Sequence, residues 1–147
     1  MSVESIDHIG LTVPDIEAAV AFYRDVVGCT VVSRPEPGSD QNVRRLVGVP
    51  DAKIRGAMLQ TPAGQLIELV MYEEPKKPAV LMETTTPSAV HLAFRVQDID
   101  GVLEGLKKMG SKPVSGPVQL GSGRFVYCRD PFGVLLELIE PSVVLNA

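Results

Sequence analysis

His8 and His91 are the only histidines of the chain, and each opens a phrase of the same shape. His8-Ile9-Gly10-Leu11-Thr12-Val13-Pro14-Asp15-Ile16 returns as His91-Leu92-Ala93-Phe94-Arg95-Val96-Gln97-Asp98-Ile99. Thr61-Pro62-Ala63-Gly64-Gln65-Leu66-Ile67-Glu68-Leu69 returns as Asp130-Pro131-Phe132-Gly133-Val134-Leu135-Leu136-Glu137-Leu138, so Glu68 and Glu137 also share one place in a repeat. Imidazole nitrogens and carboxylate oxygens bind divalent ions. Four of them at repeated positions predict a single metal site, assembled where two halves meet from His8, Glu68, His91 and Glu137. Two nitrogens and two oxygens suit Zn, Ni, Co, Mn or Fe without choosing among them, and the lack of a thiolate argues against a purely structural zinc.

Each residue also has a plainer reading. A lone histidine at the start of a strand is usually structural, and a lone glutamate in a strand usually faces water. Both glutamates, however, sit inside apolar runs, Leu66-Ile67-Glu68-Leu69-Val70 and Leu135-Leu136-Glu137-Leu138-Ile139. An unpaired carboxylate buried there would cost several kcal/mol, so the acid must be paired, protonated or metal-bound. That both acids follow a turn glycine by four residues makes coincidence a poor account.

The elements that must carry these residues follow from periodicity. Ile6 to Val13 alternates as a strand, with Ile9, Leu11 and Val13 on one face and His8, Gly10 and Thr12 on the other. Asp15 caps a helix whose apolar residues, Tyr23 among them, recur until Gly28. Strands are expected at Thr30 to Ser33, near Asn42 to Val47, at Ile54 to Gln60 and at Gln65 to Tyr72, the last two joined by the Thr61 to Gly64 turn. The proline-rich, charged stretch 73–88 reads as a linker. A second series then repeats the first: a strand at Val90 to Val96, a helix from Ile99 to Met109 capped by Asp98, a short strand at Pro113-Val114, and strands at Arg124 to Arg129 and Val134 to Ile139. The fold class is α+β, a single domain over 1–147 made of two tandem βαβββ modules, repeat 1 at about 5–72 and repeat 2 at about 89–141. The histidines lie 83 residues apart (8 to 91) and the glutamates 69 (68 to 137), so repeat 1 holds 14 extra residues. Those extras belong in the loops around Pro35 to Asp51, where specificity tends to reside.

Composition bounds the partners. The chain has 147 residues, 45% apolar and 22% charged, enough for a globular core. A net charge of -4 argues against nucleic acid, which calls for clustered cations. No apolar run approaches membrane-spanning length, and the first residues lack a signal-peptide pattern, so a cytoplasmic chain with no membrane partner is expected. Cys29 and Cys128 read as reduced, partly buried thiols.

Asp7-His8-Ile9-Gly10-Leu11-Thr12-Val13, Ala21-Phe22-Tyr23 ahead of Val27-Gly28, Leu66-Ile67-Glu68-Leu69, and Asp130-Pro131-Phe132-Gly133 leading to Leu136-Glu137-Leu138 together resemble the vicinal oxygen chelate superfamily. That family contains glyoxalase I, methylmalonyl-CoA epimerase, extradiol dioxygenases and the fosfomycin and bleomycin resistance proteins. The resemblance spans Ile6 to about Pro141. It implies two βαβββ modules, each curling into a half-barrel of mixed sheet around a cleft, one divalent metal, and a homodimer. It also implies that a fourth protein ligand, here Glu68, sets glyoxalase I and the CoA epimerase apart from the three-ligand dioxygenases and fosfomycin enzymes. Glutamate at 68, where the CoA epimerase commonly has glutamine, leans toward the glyoxalase pattern and puts an acyl-CoA substrate in doubt.

The expected activity is that of a metal-dependent isomerase, epimerase or lyase of glyoxalase I type. It would abstract a proton α to a carbonyl of a small molecule, through an enediolate stabilised by the metal. Glu68 and Glu137 would then be both ligands and bases. Thr12, Arg44, Arg45, Arg124, Tyr127 and Arg129 are the residues placed to meet a substrate. A ring-cleaving dioxygenase and a non-catalytic binding or resistance protein are the rivals; the four-ligand set argues against both. Neither glutathione nor CoA is singled out by any motif.

Overall fold

Asp15 and Asp98 show how the chain punctuates itself. In the computed structural model, which describes residues 2–142, both stand in extended backbone, and their carboxylates accept amide hydrogens of the next turn. Asp15 takes those of Glu17 and Ala18, and Asp98 that of Gly101. Each such cap contributes about 1 kcal/mol to helix formation. The helices they start are α1 (Ile16–Asp25) and α3 (Ile99–Lys108).

Two compact units result, Met1–Ala79 and Val80–Ala147. The first holds β1 (Ile9–Thr12), α1, β2 (Thr30–Ser33), α2 (Gln41–Val47), β3 (Lys53–Gln60) and β4 (Leu66–Glu74). The second holds β5 (His91–Arg95), α3, β6 (Val118–Leu120), β7 (Gly123–Arg129) and β8 (Leu135–Pro141). Their sheets have the same order, β1-β4-β3-β2 and β5-β8-β7-β6. In each, the first strand runs parallel to the last and the remaining neighbours are antiparallel. This is an α+β fold of two mixed four-stranded sheets. Among the described residues no helix is long and apolar enough to cross a membrane.

Each helix covers one face of its own sheet. Ile16, Ala19, Val20, Phe22 and Tyr23 of α1 are buried, as are Ala57 and Leu59 of β3 and Ile67 and Leu69 of β4. Ile99, Leu103 and Leu106 of α3 are buried, with Val126 and Cys128 of β7 and Leu136 and Leu138 of β8. Because side chains alternate along a strand, burying Ile67 and Leu69 sends Glu68 to the other face, and burying Leu136 and Leu138 does the same for Glu137.

Three elements differ from the sequence expectation. The stretch expected as a strand near Asn42 to Val47 is the helix α2. Asp40 caps it by accepting from Asn42 and Val43, and Gly48, at φ 67°, closes it in the left-handed region. The strand expected at Pro113-Val114 is only an isolated bridge from Pro113 to Cys128, and the sheet-edge strand is β6. The first strand begins at Ile9 rather than Ile6, because pairing with β4 starts at Ile9 opposite Ile67. His8 therefore stands just before the strand rather than inside it.

Candidate metal centre

A turn in each unit decides where the glutamate falls. In the first, the Thr61 hydroxyl accepts from Gln65 N–H at 3.1 Å, and Gly64 takes φ 94°, which only glycine adopts without strain. In the second, the Asp130 carboxylate accepts from Phe132 at 2.9 Å and Val134 at 2.8 Å, and Gly133 takes φ 95°. Both turns are further closed by backbone bonds between their first and fifth residues. With the hairpins fixed, Glu68 faces Met58 and Gly10 across its two neighbouring strands, and Glu137 faces Tyr127 and Ala93.

The small residues matter. Gly10 and Ala93 stand directly opposite the glutamates, two positions after the histidines, so no large side chain intervenes on the diagonal. Across it, His8 Nε2 lies 3.3 Å from Glu68 Oε2, and His91 Nε2 lies 3.2 Å from Glu137 Oε2. The same His–Glu diagonal thus appears once in each unit. Glu137 is the more enclosed acid, its side chain 19% exposed against 38% for Glu68. Among the described residues, neither acid is paired with a lysine or arginine.

The surroundings of the two imidazoles differ. Asp7 Oδ2 lies 2.7 Å from His8 Nδ1, and that hydrogen bond, reinforced by the charge of Glu68 and partly opposed by burial, holds the His8 pKa above its ordinary value. His91 instead meets Tyr127, whose hydroxyl lies 3.5 Å from Nε2 and whose ring stands edge-on at a centroid distance of 5.1 Å. Asp7 was not singled out from sequence, although it directly precedes His8; its counterpart before His91 is Val90.

The other sequence candidates divide. Tyr127 adjoins the His91–Glu137 pair. Arg124 is bound by Asp100 at 2.9 Å and Glu140 at 3.5 Å, and Arg129 donates to the carbonyls of Gly133 and Met82, at 3.1 and 2.6 Å. Both are committed to holding the second unit together. Thr12 is exposed on β1 and Arg45 on α2. Arg44, also on α2, has an enclosed Nε with no hydrogen-bond partner.

Each pair brings one ring nitrogen and one carboxylate oxygen close together, at 3.3 and 3.2 Å, a donor chemistry that fits a divalent ion of the transition series. Each acid, without a lysine or arginine partner among the described residues, carries charge that such an ion would neutralise. Among the described residues no group of three or more His, Cys, Asp or Glu gathers into a metal site, so each unit supplies a pair and not a complete set.

Architecture and paired donors together define a class of protein built from tandem βαβββ units. Residues 5–138 match the model of the Glyoxalase/Bleomycin resistance protein/Dioxygenase superfamily, and the chain belongs to that superfamily. A 2-epi-5-epi-valiolone epimerase of Actinomyces sp is 30% identical over 144 residues, covering 92% of this chain and 79% of its own length. An ethylmalonyl-CoA/methylmalonyl-CoA epimerase of Cereibacter sphaeroides is 30% identical over 139 residues, covering 90% of this chain and 95% of its own. The crystal structure of a glyoxalase family protein from Bacillus cereus superposes with a TM-score of 0.86 at 25% identity, over 97% of each chain.

Proposed function

We propose that this chain is a metal-dependent epimerase acting on a small carbonyl compound, at the carbon next to the carbonyl. The observation that carries the reading is the His–Glu diagonal repeated at one register in both units. His8, Glu68, His91 and Glu137 are the metal ligands in this proposal, one His–Glu pair from each unit. Both relatives described above are epimerases by name, which favours epimerisation over the lyase alternative.

A divalent ion in that set would act as a Lewis acid, making the proton α to the substrate carbonyl removable near neutral pH. Inverting a stereocentre calls for one group to take the proton and a second to return it. Glu68 and Glu137 are the two carboxylates available, each in its own unit and each beside a histidine. Glu68 works next to the thioether of Met58 and Glu137 next to the phenol of Tyr127, so the two bases have unlike neighbours. The histidines hold position and carry no proton in the reaction. A homodimer and a cytoplasmic setting belong to the same proposal, and sedimentation equilibrium tests the first of these.

The test is metal content followed by solvent deuterium exchange into 2-oxo, hydroxy-ketone and acyl-thioester substrates. One bound ion per chain and exchange at the α-carbon are expected. Glu68→Gln and Glu137→Gln should each lower exchange by roughly 10²–10⁴-fold while leaving the thermal transition in place. Wild-type protein that takes up no metal, or glutamine variants that exchange at the wild-type rate, would end the proposal.

A further inference from the structure

The ring of His8 is approached at both nitrogens by carboxylates, Asp7 at Nδ1 and Glu68 at Nε2. A neutral imidazole carries one N–H and one lone pair, so it cannot donate to both. The contact to Asp7 is the shorter, 2.7 Å against 3.3 Å, and places the hydrogen on Nδ1. The lone pair then lies on Nε2, beside Glu68. Such an arrangement is possible because residues 2–8 precede β1; inside a strand the side chains of Asp7 and His8 would point to opposite faces.

We infer that Asp7 is a positioning residue of the proposed centre, fixing the tautomer and orientation of His8 so that Nε2 and Glu68 present donors to the same divalent cation. The inference rests on the metal reading above. A ligating histidine gains basicity and a fixed orientation when its other nitrogen donates to a carboxylate. The second unit lacks this device: Val90 stands where Asp7 does, and among the described residues no side chain bonds His91 Nδ1. The half-site of the first unit is therefore prepared before the cation arrives, whereas that of the second must lose its approach to the Tyr127 hydroxyl at Nε2 as it ligates.

The experiment pairs two measurements on the full chain. Nitrogen-15 NMR of the metal-free protein, at a pH above the His8 titration so that the ring is neutral, reads the His8 tautomer, and chelator competition reads Zn²⁺ affinity. Wild-type His8 should show the Nδ1–H form; Asp7→Ala should shift it toward Nε2–H and weaken Zn²⁺ binding by roughly tenfold, the lower end of the range for such supporting groups because Asp7 is exposed. Asp7→Asn, which keeps a neutral acceptor, should retain the tautomer and recover much of the affinity. In a His8→Ala background, Asp7→Ala should have no further effect. An unchanged tautomer, unchanged affinity, or an equal loss with His8 absent, which would mark a general charge effect, overturns the inference. Failure of wild-type protein to take up Zn²⁺ overturns the reading beneath it, and the NMR result then shows separately whether Asp7 orients the ring.

Discussion

The two units share a sheet order, a turn and a His–Glu diagonal, yet each holds them differently. In the first, α1 buries Phe22 and Tyr23 edge-to-face at 5.1 Å; the matching positions of α3 are Gly105 and Leu106. Both units also use polar ties: Arg34 donates to Glu17 of α1 in the first, and the second, lacking the aromatic pair, relies on more of them. Glu140 accepts the Ile99 N–H at the start of α3 at 2.7 Å and also meets Arg124, which Asp100 binds. Asp100 is held below the usual carboxylate range by that arginine. What has been kept alike is the part that aims the four donors. What has diverged is how each helix is fastened to the sheet beneath them.

The sharpest way to break this comparison is to remove the packing that only one unit has. Phe22→Ala should cost about 3–5 kcal/mol, because a fully buried ring leaves a cavity that its neighbours only partly fill. The matching change in the other unit, Gly105→Ala, should have the opposite sign. A Cβ there meets nothing within 4 Å, and replacing glycine inside a helix gains about 0.5–1 kcal/mol. Urea titrations of both variants check the pair; equal destabilisation would show that the helices are fastened alike after all.

The turns give a smaller contrast. Asp130 is buried and serves the amides of both Phe132 and Val134, whereas Thr61 serves only that of Gln65. Asp130→Ala should therefore cost about 2 kcal/mol, from two part-buried amides losing the Asp130 carboxylate, and Thr61→Ala about 0.5–1 kcal/mol. If Thr61→Ala proved the more damaging, the hydroxyl rather than Gly64 and the backbone bonds would be setting the first hairpin.

The legible parts of the fold were those where periodicity and punctuation agreed. Asp15 with Ile16, Ala19, Val20 and Tyr23 defined α1, and Thr30 to Ser33 matched β2 to the residue. The stretch near Asn42 to Val47 reads as a strand and folds as α2, because Val43, Leu46 and Val47 make only a short, little-buried face with too little helical periodicity to announce itself. Asp40 and Gly48, its two caps, were the signals that could have corrected it. β6 escaped because Val118, Gln119 and Leu120 are all exposed, so burial imposes no alternation on them. The repeat drew attention to His8, Glu68, His91 and Glu137, but Asp7 lies outside it: Val90 breaks the match, and a residue used in one unit alone leaves no periodic trace.

The smallest expected effect concerns the two thiols, one in each unit and both buried. Burial pushes the Cys128 thiol from its ordinary 9.0 up to about 11, with the charge of Asp130 adding to it, and burial alone raises Cys29. A folded-state pKa above the unfolded one means that the native chain keeps a proton the unfolded chain releases. Stability from this source is complete below about pH 9 and falls as pH rises toward 11. At about pH 8.5 both thiols should thus be alkylated by iodoacetamide far more slowly in the native protein than in guanidinium chloride. Cys29 should react ahead of Cys128, which lies within β7, opposite Leu136 of β8 on one side and bridged to Pro113 on the other. Mass spectrometry of the labelled peptides gives the order. Reversal, with Cys128 labelled first, would mean that the hairpin carrying Glu137 opens more readily than the junction of α1 and β2, so that the polar ties of the second unit hold less firmly than the aromatic packing of the first.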